Sequence, residues 1–266
     1  MRLVVAIFIM TVVSACSLPA YTILEGAGQD YEIVSSGTFK HLLALKNSTA
    51  DGGALIVFVD GDGIPWQRRN RISFEPTSNS PLLLRWFVES SMPSVYLGRP
   101  CYFGLDDEEC SAYWYTHGRY SPDVVNSLVE VLNQTVEGRP LVLIGHSGGG
   151  TLVMLMAEKM PNVKMVVTIA GNLQVKRWVD YHGYSDLAGS LDPSLRPGLN
   201  SLIHQIHVYS PNDNVIKSEW IRQFSLTQKN VELIEMPAKN HSSGWDVFRQ
   251  EIMSVLEGAL YEIGSQ

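Results

Sequence analysis

A serine placed between glycines is the first feature of this sequence that could perform covalent chemistry. Gly145-His146-Ser147-Gly148-Gly149 has the spacing Gly-x-Ser-x-Gly, and its glycines leave room for a very tight bend around the serine. A serine hydroxyl is a weak nucleophile until a base takes its proton and a third group orients that base. The motif therefore predicts nucleophilic catalysis by Ser147, provided that the chain also supplies a base and an acid.

The segments on both sides of Ser147 predict the local structure that such a serine needs. Residues 141–144 are apolar, which is typical of a buried strand, and residues 151–160 have the composition of a buried helix. The turn between them would expose the hydroxyl and aim the first N–H groups of the helix at any negative charge formed beside it. We expect the Gly148 N–H to be one such oxyanion donor. The alternative is a glycine turn with a passive serine, which the flanking pattern disfavours.

An acid and a histidine follow the serine, each in a loop after a predicted strand. Asp213 comes after the strand 203–209, and His241 comes after the strand 231–236. The carboxyl ends of parallel strands meet at one edge of a sheet, where ligands bind, so we expect both side chains to meet Ser147 there. Taken singly, they could be a turn aspartate and a surface histidine, but their joint order favours catalysis. Three aspartates that precede the strand are weaker candidates for the acid: Asp180, Asp186 and Asp192.

The rest of the chain alternates between segments with the pattern of strands and segments with the pattern of helices. Eight segments read as strands: 31–34, 39–45, 54–59, 94–97, 141–144, 163–170, 203–209 and 231–236. Helices are expected between them and at the C-terminus, one of them with Ser121 as its N-terminal cap. The alternation predicts an α/β domain over residues 31–266, with a mostly parallel eight-stranded sheet covered by helices on both faces. Residues 171–201 lack a period, and we expect a small cap insertion whose aromatic residues and leucines form an apolar acyl pocket.

The composition narrows the class of protein. With 266 residues, of which 45% are hydrophobic and 18% charged, the chain is long enough for one domain with a full core. Its net charge of −7 argues against nucleic acid as a partner, since such proteins need a basic face. The chain has no Cys-x-x-Cys pair and its histidines are scattered, so no metal or other cofactor is expected. Nothing in the sequence fixes the oligomeric state.

The N-terminus has the pattern of an export signal. Arg2 precedes an apolar run over 3–13, which is too short for a comfortable membrane span, and small residues precede Cys16. This resembles the signal of a bacterial lipoprotein and implies a signal peptide over 1–15, a lipidated Cys16 and a tether over 16–30. Ser17 after the cysteine implies the outer membrane of the cell envelope, facing the periplasm. The alternative is an ordinary secretory signal.

Cys101 and Cys110 remain once Cys16 is set aside. An even number of cysteines in an exported chain favours a disulfide between them, against the alternative of two free thiols.

The order serine, acid, histidine on loops after successive strands resembles the α/β-hydrolase superfamily, over about residues 31–263. The resemblance implies that Ser147 is the nucleophile, His241 the general base and then acid, and Asp213 the group that orients the imidazole. The segment 98–121 further resembles a poorly characterised subgroup of bacterial exported α/β-hydrolases, in which we interpret His117 as structural.

The resemblance also implies a second oxyanion donor in the loop after an early strand. That loop commonly begins His-Gly, whereas this chain has Asp60-Gly61-Asp62-Gly63, so the match is partial. By position the donor is the Asp62 N–H. A carboxylate beside an oxyanion would hinder catalysis unless it turns away or pairs with Arg68, Arg69 or Arg99. The alternative is that Asp62 only shapes the turn.

The predicted function is hydrolysis of a carboxylic ester, from a small-molecule or lipid-like acyl substrate, through an acyl-enzyme. A thioesterase, an amidase or a peptidase would use the same three residues, and a catalytically silent lipoprotein would use the fold only to bind a partner. Arg68, Arg69 and Arg71 with Trp66 could grip an acidic group on a substrate or a lipid headgroup, although a solvated loop is the simpler interpretation.

Overall fold

A computed structural model describes residues 18–47, 53–68, 70–105, 110–136 and 138–264. The strands are β1 (Glu32–Ser36), β2 (Phe39–Lys46), β3 (Leu55–Val59), β4 (Trp66–Arg68), β5 (Arg71–Ile72), β6 (Ser94–Leu97), β7 (Leu141–His146), β8 (Val163–Ile169), β9 (His204–Tyr209) and β10 (Val231–Glu235). The α-helices are α1 (Pro19–Gly26), α2 (Leu82–Glu89), α3 (Pro122–Thr135), α4 (Gly148–Ala157), α5 (Val175–His182), α6 (Ser218–Ser225) and α7 (Arg249–Gly264).

Eight of the strands form one sheet in the order β1-β2-β6-β3-β7-β8-β9-β10. β2 runs antiparallel to both of its neighbours, and the strands from β6 to β10 are parallel. The predicted eight-stranded, mostly parallel sheet is therefore confirmed. β4 and β5 form a separate two-stranded hairpin, which the sequence did not predict.

Both faces of the sheet are covered, which explains why its central strands are apolar throughout. Along β3, Ile56 and Phe58 face the core that contains α2 and α7, whereas Leu55, Val57 and Val59 face the core that contains α3 and α4. Every residue of α4 is buried, because this helix packs against β7 and β8. The side chain of Ser121 caps α3 by accepting a hydrogen bond from the Val124 N–H, as predicted.

The segment predicted as a tether differs from that expectation over Pro19–Gly26, where the chain forms α1. A proline begins this helix, and Ala20 and Leu24 are wholly buried against the core that contains α2. Tyr21 and Ile23 pack against the same core but are only partly buried. The helix has eight residues, so its periodicity was too short to stand out in the sequence. The predicted signal peptide and Cys16 lie outside the described residues. Within the described ranges, no helix combines the length and the apolar character that crossing a bilayer requires.

Candidate active site

Ser147 lies in the turn between β7 and α4, with a backbone conformation that few residues adopt. Its φ is 53° and its ψ is −119°, a strained combination that costs on the order of 1–3 kcal/mol and persists only where its surroundings impose it. Two close backbone contacts make the turn possible. A Cβ on Gly145 would lie 2.3 Å from the Gly149 oxygen, and a Cβ on Gly149 would lie 2.1 Å from the Val59 oxygen. Only glycine fits at either position, so both glycines hold the serine in place.

The histidine and the aspartate predicted from the sequence lie beside this serine. His241 Nε2 is 2.8 Å from Ser147 Oγ, and His241 Nδ1 is 2.7 Å from Asp213 Oδ2. The Asp213 side chain is only 2% exposed and that of His241 only 12%, so little water competes for either bond. The three side chains, which follow β7, β9 and β10, form one hydrogen-bonded line at the carboxyl edge of the sheet.

Backbone donors fix the orientation of the aspartate. Asp213 Oδ1 accepts hydrogen bonds from the N–H groups of Val215 (2.8 Å) and Ile216 (2.9 Å). Because one carboxylate oxygen is held by these two donors, the other oxygen faces the histidine. The carboxylate can therefore hold the proton of His241 on Nδ1 and leave Nε2 as the acceptor toward Ser147.

The loop that carries His241 is held by two side chains whose role the sequence did not reveal. The His241 carbonyl accepts a hydrogen bond from Trp245 Nε1 (2.9 Å), and His146 Nε2 lies 3.2 Å from the same oxygen. Burial, with the neighbouring His241 as a second cause, lowers the pKa of His146 to about 4. His146 is thus neutral at pH 7. His146 occupies the variable position of the serine motif and Trp245 belongs to no motif, so neither residue offered a signal.

Asp62 lies against the first residue of α4, on the other side of the serine. A Cβ on Gly148 would lie 2.1 Å from Asp62 Oδ1 and 2.5 Å from the hydroxyl of Tyr120. The loop after β3 and the start of α4 are therefore in contact beside Ser147. A backbone donor from the loop after β3 would need to lie this close to Ser147.

The Asp62 carboxylate is neutralised by two buried arginines. Oδ1 pairs with Arg99 Nη1 at 2.5 Å, and Oδ2 pairs with Arg119 Nη1 at 2.9 Å and accepts the Tyr120 hydroxyl at 2.6 Å. Burial alone would raise the pKa of Asp62, but Arg119 and Arg99 hold it well below its ordinary value. Of the partners considered from the sequence, Arg99 is present and Arg68 is an exposed residue of β4. Arg119 was missed because it lies far along the chain.

The predicted disulfide is present, between Cys101 and Cys110, with Cα atoms 5.3 Å apart. It borders the residues that hold the loop after β3. Arg99 comes two residues before Cys101, and Tyr102, directly after it, donates its hydroxyl to the Asp62 carbonyl at 3.0 Å. The bridge therefore constrains the segment that supplies two contacts to Asp62.

A cleft of about 130 Å³ opens at this edge of the sheet. Its lining consists of Asp60, Gly61, Asp62, Gly63, Ser78, Ser80, Leu82, His146, Ser147, His241 and Ser242. Leu82 is the one aliphatic side chain among them, so the walls are polar or small. The segment 171–201, predicted as a cap with an apolar pocket, contributes none of these residues. Instead, Val175 of α5 is buried in the core that contains α3 and α4, and Val179 of the same helix is buried as well.

Other candidates from the sequence lie away from the serine. Asp180 and Asp186 pair with Lys176, and Asp192 accepts hydrogen bonds at the start of a short 3₁₀ helix. His117 Nδ1 lies 2.9 Å from the Asp186 carbonyl, as suits a structural residue. The described part of the chain contains no group of three or more histidine, cysteine or acidic side chains that could hold a metal ion.

Comparison with known proteins finds similarity in structure alone. No family model matches the chain, and no curated protein is similar in sequence. A crystal structure of a bacterial membrane phospholipase A, described as a virulence factor, aligns over 90% of this chain and 92% of its own, with a TM-score of 0.60 and 13% identity. An esterase of Pyrococcus furiosus aligns over 91% and 94%, with a TM-score of 0.62 and 13% identity.

A mammalian protein gives the same result. Mouse α/β-hydrolase domain-containing protein 10 aligns over 88% of this chain and 99% of its own, with a TM-score of 0.63 and 13% identity. At such identities the likeness concerns the fold, and it extends over nearly the whole of each chain. Together with the strand order and the strained serine turn, it confirms the predicted architecture: the chain has the α/β-hydrolase fold.

Proposed function

We propose that this protein is a serine hydrolase that cleaves carboxylic esters through a covalent acyl-enzyme. One observation carries the proposal: Ser147, His241 and Asp213 form a continuous hydrogen-bonded line with the serine at the tip of a strained turn. A nucleophile, its base and the group that orients the base need this relative placement. The solved structures that share the fold include an esterase and a phospholipase, which supports hydrolysis as the reaction.

The first half of the reaction makes the acyl-enzyme. Ser147 Oγ attacks the ester carbonyl carbon while His241 Nε2 takes its proton, and Asp213 stabilises the imidazolium that forms. The tetrahedral intermediate then collapses as His241 returns the proton to the leaving alcohol oxygen. In the second half, water attacks the acyl carbon, His241 accepts a proton from the water, and the acid leaves with regeneration of the Ser147 hydroxyl.

The oxyanion would rest on the backbone N–H groups of Gly148 and Asp62. The Gly148 N–H belongs to the first turn of α4, where the helix dipole is positive. Asp62 is suited to this place because Arg99 and Arg119 outweigh its carboxylate, so that the buried group beside the oxyanion carries a net positive charge. One such donor contributes about 3 to 4 kcal/mol to stabilising a transition state.

The cleft favours a short acyl group over a long one. Its lining is polar apart from Leu82, and the aromatic residues of 171–201 do not contribute to it. A long alkyl chain gains its binding energy from apolar walls, and a cleft of this lining supplies few of them. The same three residues could serve a thioesterase, an amidase or a peptidase, and a silent binding protein would need no strained serine turn.

Hydrolysis of p-nitrophenyl esters of increasing acyl length tests the proposal. We expect turnover of the acetate and butyrate esters, a decline at longer chains, and loss of turnover in Ser147→Ala by a factor of about 10⁴ or more. Ser78→Ala is the matched control, since Ser78 also lines the cleft but belongs to a different loop, where its hydroxyl accepts a hydrogen bond from the Ser80 N–H. Absence of turnover from the folded parent protein at every length would refute the esterase proposal and favour a peptide or amide substrate, or the silent binding protein.

We also propose that Cys16 is lipidated and holds the protein on the cell envelope. The support is the sequence pattern around Cys16. Metabolic labelling with a radioactive fatty acid should mark the full chain and leave Cys16→Ser unlabelled. Equal labelling of both would contradict the lipidation.

A further inference from the structure

A hairpin beside the cleft exposes apolar and cationic side chains together. We call residues 64–74 the arginine hairpin; it contains β4 and β5, and its Arg69 lies outside the described residues. Phe74 is 94% exposed, Ile72 41% and Ile64 36%. A phenylalanine that is so fully exposed does not gain the stabilisation of about 2 to 3 kcal/mol that its burial would contribute. Such a cluster on a folded domain marks a surface that another phase or partner covers.

The charge of the arginine hairpin is opposite to that of the chain. Arg68 and Arg71 are exposed and form no ion pair with any residue that the structure describes. The whole chain carries a net charge of −7. Unpaired arginines next to exposed aromatic and aliphatic side chains match the two layers of an anionic bilayer, whose phosphates lie above its hydrocarbon.

Both ends of the arginine hairpin meet the rim of the cleft. Gly63, which precedes it, and Ser78, which follows it, line the cleft. The base is closed by the Ile64 N–H, which donates to the Pro76 carbonyl at 2.7 Å. A surface bound by the hairpin would therefore lie next to the mouth of the cleft.

The N-terminal end of the described chain lies at the same place. A Cβ on Gly104 would lie 3.5 Å from Leu18 Cδ1 and 3.8 Å from Glu75 Oε2, so Leu18 and Glu75 flank one residue. Glu75 directly follows Phe74, and Leu18 comes two residues after Cys16. The first described residue, two positions after the cysteine proposed to carry lipid, thus lies next to the end of the arginine hairpin.

We propose that the arginine hairpin docks on an anionic lipid bilayer. Ile64, Ile72 and Phe74 enter the region between headgroups and acyl chains, while Arg68 and Arg71 pair with lipid phosphates. Docking does not require hydrolysis, so this proposal stands apart from the esterase activity. It concerns a contact of the protein surface in addition to any lipid on Cys16.

Tryptophan fluorescence in full-length protein bound to vesicles tests the contact. Phe74→Trp should be quenched by brominated acyl chains in vesicles of equal parts phosphatidylglycerol and phosphatidylcholine, relative to the parent protein. Leu226→Trp is the matched control, because Leu226 is 85% exposed and lies shortly before β10, at the opposite end of the sheet. An N-terminal anchor alone could also bring the hairpin near the bilayer, so both variants are measured in full-length Cys16→Ser protein, which carries no lipid. The stronger quenching of Phe74→Trp should persist there, and equal quenching of the two sites would overturn the proposal.

The charge requirement gives a second test in the same system. Arg68→Gln with Arg71→Gln should reduce quenching at Phe74→Trp by about half or more in the anionic vesicles, since each arginine near such a surface strengthens binding about fivefold. In vesicles of phosphatidylcholine alone the pair of substitutions should have little effect. Undiminished quenching in the anionic vesicles would overturn the role of the arginines. Circular dichroism and hydrolysis of a soluble p-nitrophenyl ester check that each variant is folded.

Discussion

The acid–base side of Ser147 and its oxyanion side are held in place by different means. On the acid–base side, Asp213 and His241 reach the serine through two direct side-chain hydrogen bonds, from loops after adjacent strands. On the oxyanion side, the groups proposed to act are backbone N–H groups. There, a buried cluster of Asp62 with Arg99 and Arg119 supports one of these groups through contacts to its side chain.

This difference separates groups that react from groups that position. In the proposed mechanism, a change to Asp213 acts directly on the proton acceptor, His241, because the tautomer of His241 depends on Asp213. A change to Arg119 leaves the reacting groups in place and disturbs only the loop that carries Asp62. Substitutions on the two sides should therefore differ in the size of their effect on kcat.

The largest effect is expected for Asp213→Asn. The amide would keep the shape of the side chain but could hold the wrong tautomer of His241, so kcat for a p-nitrophenyl ester should fall by a factor of about 10⁴. Asp192→Asn is the control, because Asp192 caps a 3₁₀ helix away from the serine. A decrease of less than tenfold in Asp213→Asn would show that the acid–base side does not work as a triad.

An intermediate effect is expected for Arg119→Met. Loss of one guanidinium leaves the buried cluster with no net positive charge and frees the loop, so kcat should fall by a factor of about 10 to 10² with KM little changed. Arg119→Lys should restore part of the loss. Arg196→Met removes an exposed pair with Glu158 and serves as the control. If Arg119→Met reduced kcat as far as Asp213→Asn does, the proposed division between the two sides would fail.

The disulfide supports the oxyanion side at longer range. The double substitution Cys101→Ser with Cys110→Ser should lower the free energy of unfolding by about 2 to 3 kcal/mol, because the unfolded chain gains freedom. Denaturant unfolding measures this loss, and a reductant applied to the parent protein should reproduce it. We expect a smaller fall in kcat than in Arg119→Met, since Arg99 and Arg119 still hold Asp62. Unchanged stability would indicate that the bridge adds nothing.

The two sides should also respond differently to pH. His207 of β9, the strand that precedes the Asp213 loop, is wholly buried, and burial lowers its pKa to about 3 from an ordinary value of 6.5. As the pH falls below 6.5, His207 binds a proton in the unfolded chain but not in the native protein. The free energy of unfolding therefore decreases. The pKa of Asp62 is lowered as well, so its stabilising contribution is complete above its ordinary value of 3.8 and is lost only below that value.

His207→Gln isolates this contribution. Between pH 7.5 and pH 5, the parent protein should lose about 2 kcal/mol of unfolding free energy through His207, and the variant should lose that much less. Urea unfolding at both pH values provides the comparison. Parallel pH profiles of the two proteins would mean that His207 is not kept neutral in the native state.

The acid–base side could be predicted from the sequence because its chemistry resides in side chains. Ser147, Asp213 and His241 each follow an apolar strand, and strand order along the chain implies a shared edge. Arg119, in contrast, reaches Asp62 across 57 positions, and no local pattern indicates that pairing. The contact surface of α1 and the two-residue strand β5 were also too short to produce a recognisable periodic pattern in the sequence. The prediction of an apolar pocket was wrong because the aromatic composition of residues 171–201 does not specify which surface those residues cover.

The packing of α1 has a mechanical consequence for a protein attached through Cys16. Since α1 begins at Pro19 and is buried at Ala20, only two peptide units separate Cys16 from Leu18, and they span at most about 7 Å. A flexible linker of 15 residues would instead let the domain roam about 20 Å from its attachment point. The short connection would restrict rotation and keep one side of the domain turned toward the bilayer. Lateral diffusion in two dimensions would then govern the encounters with substrates. The protein would reach substrates in or next to its own membrane and few that lie farther away.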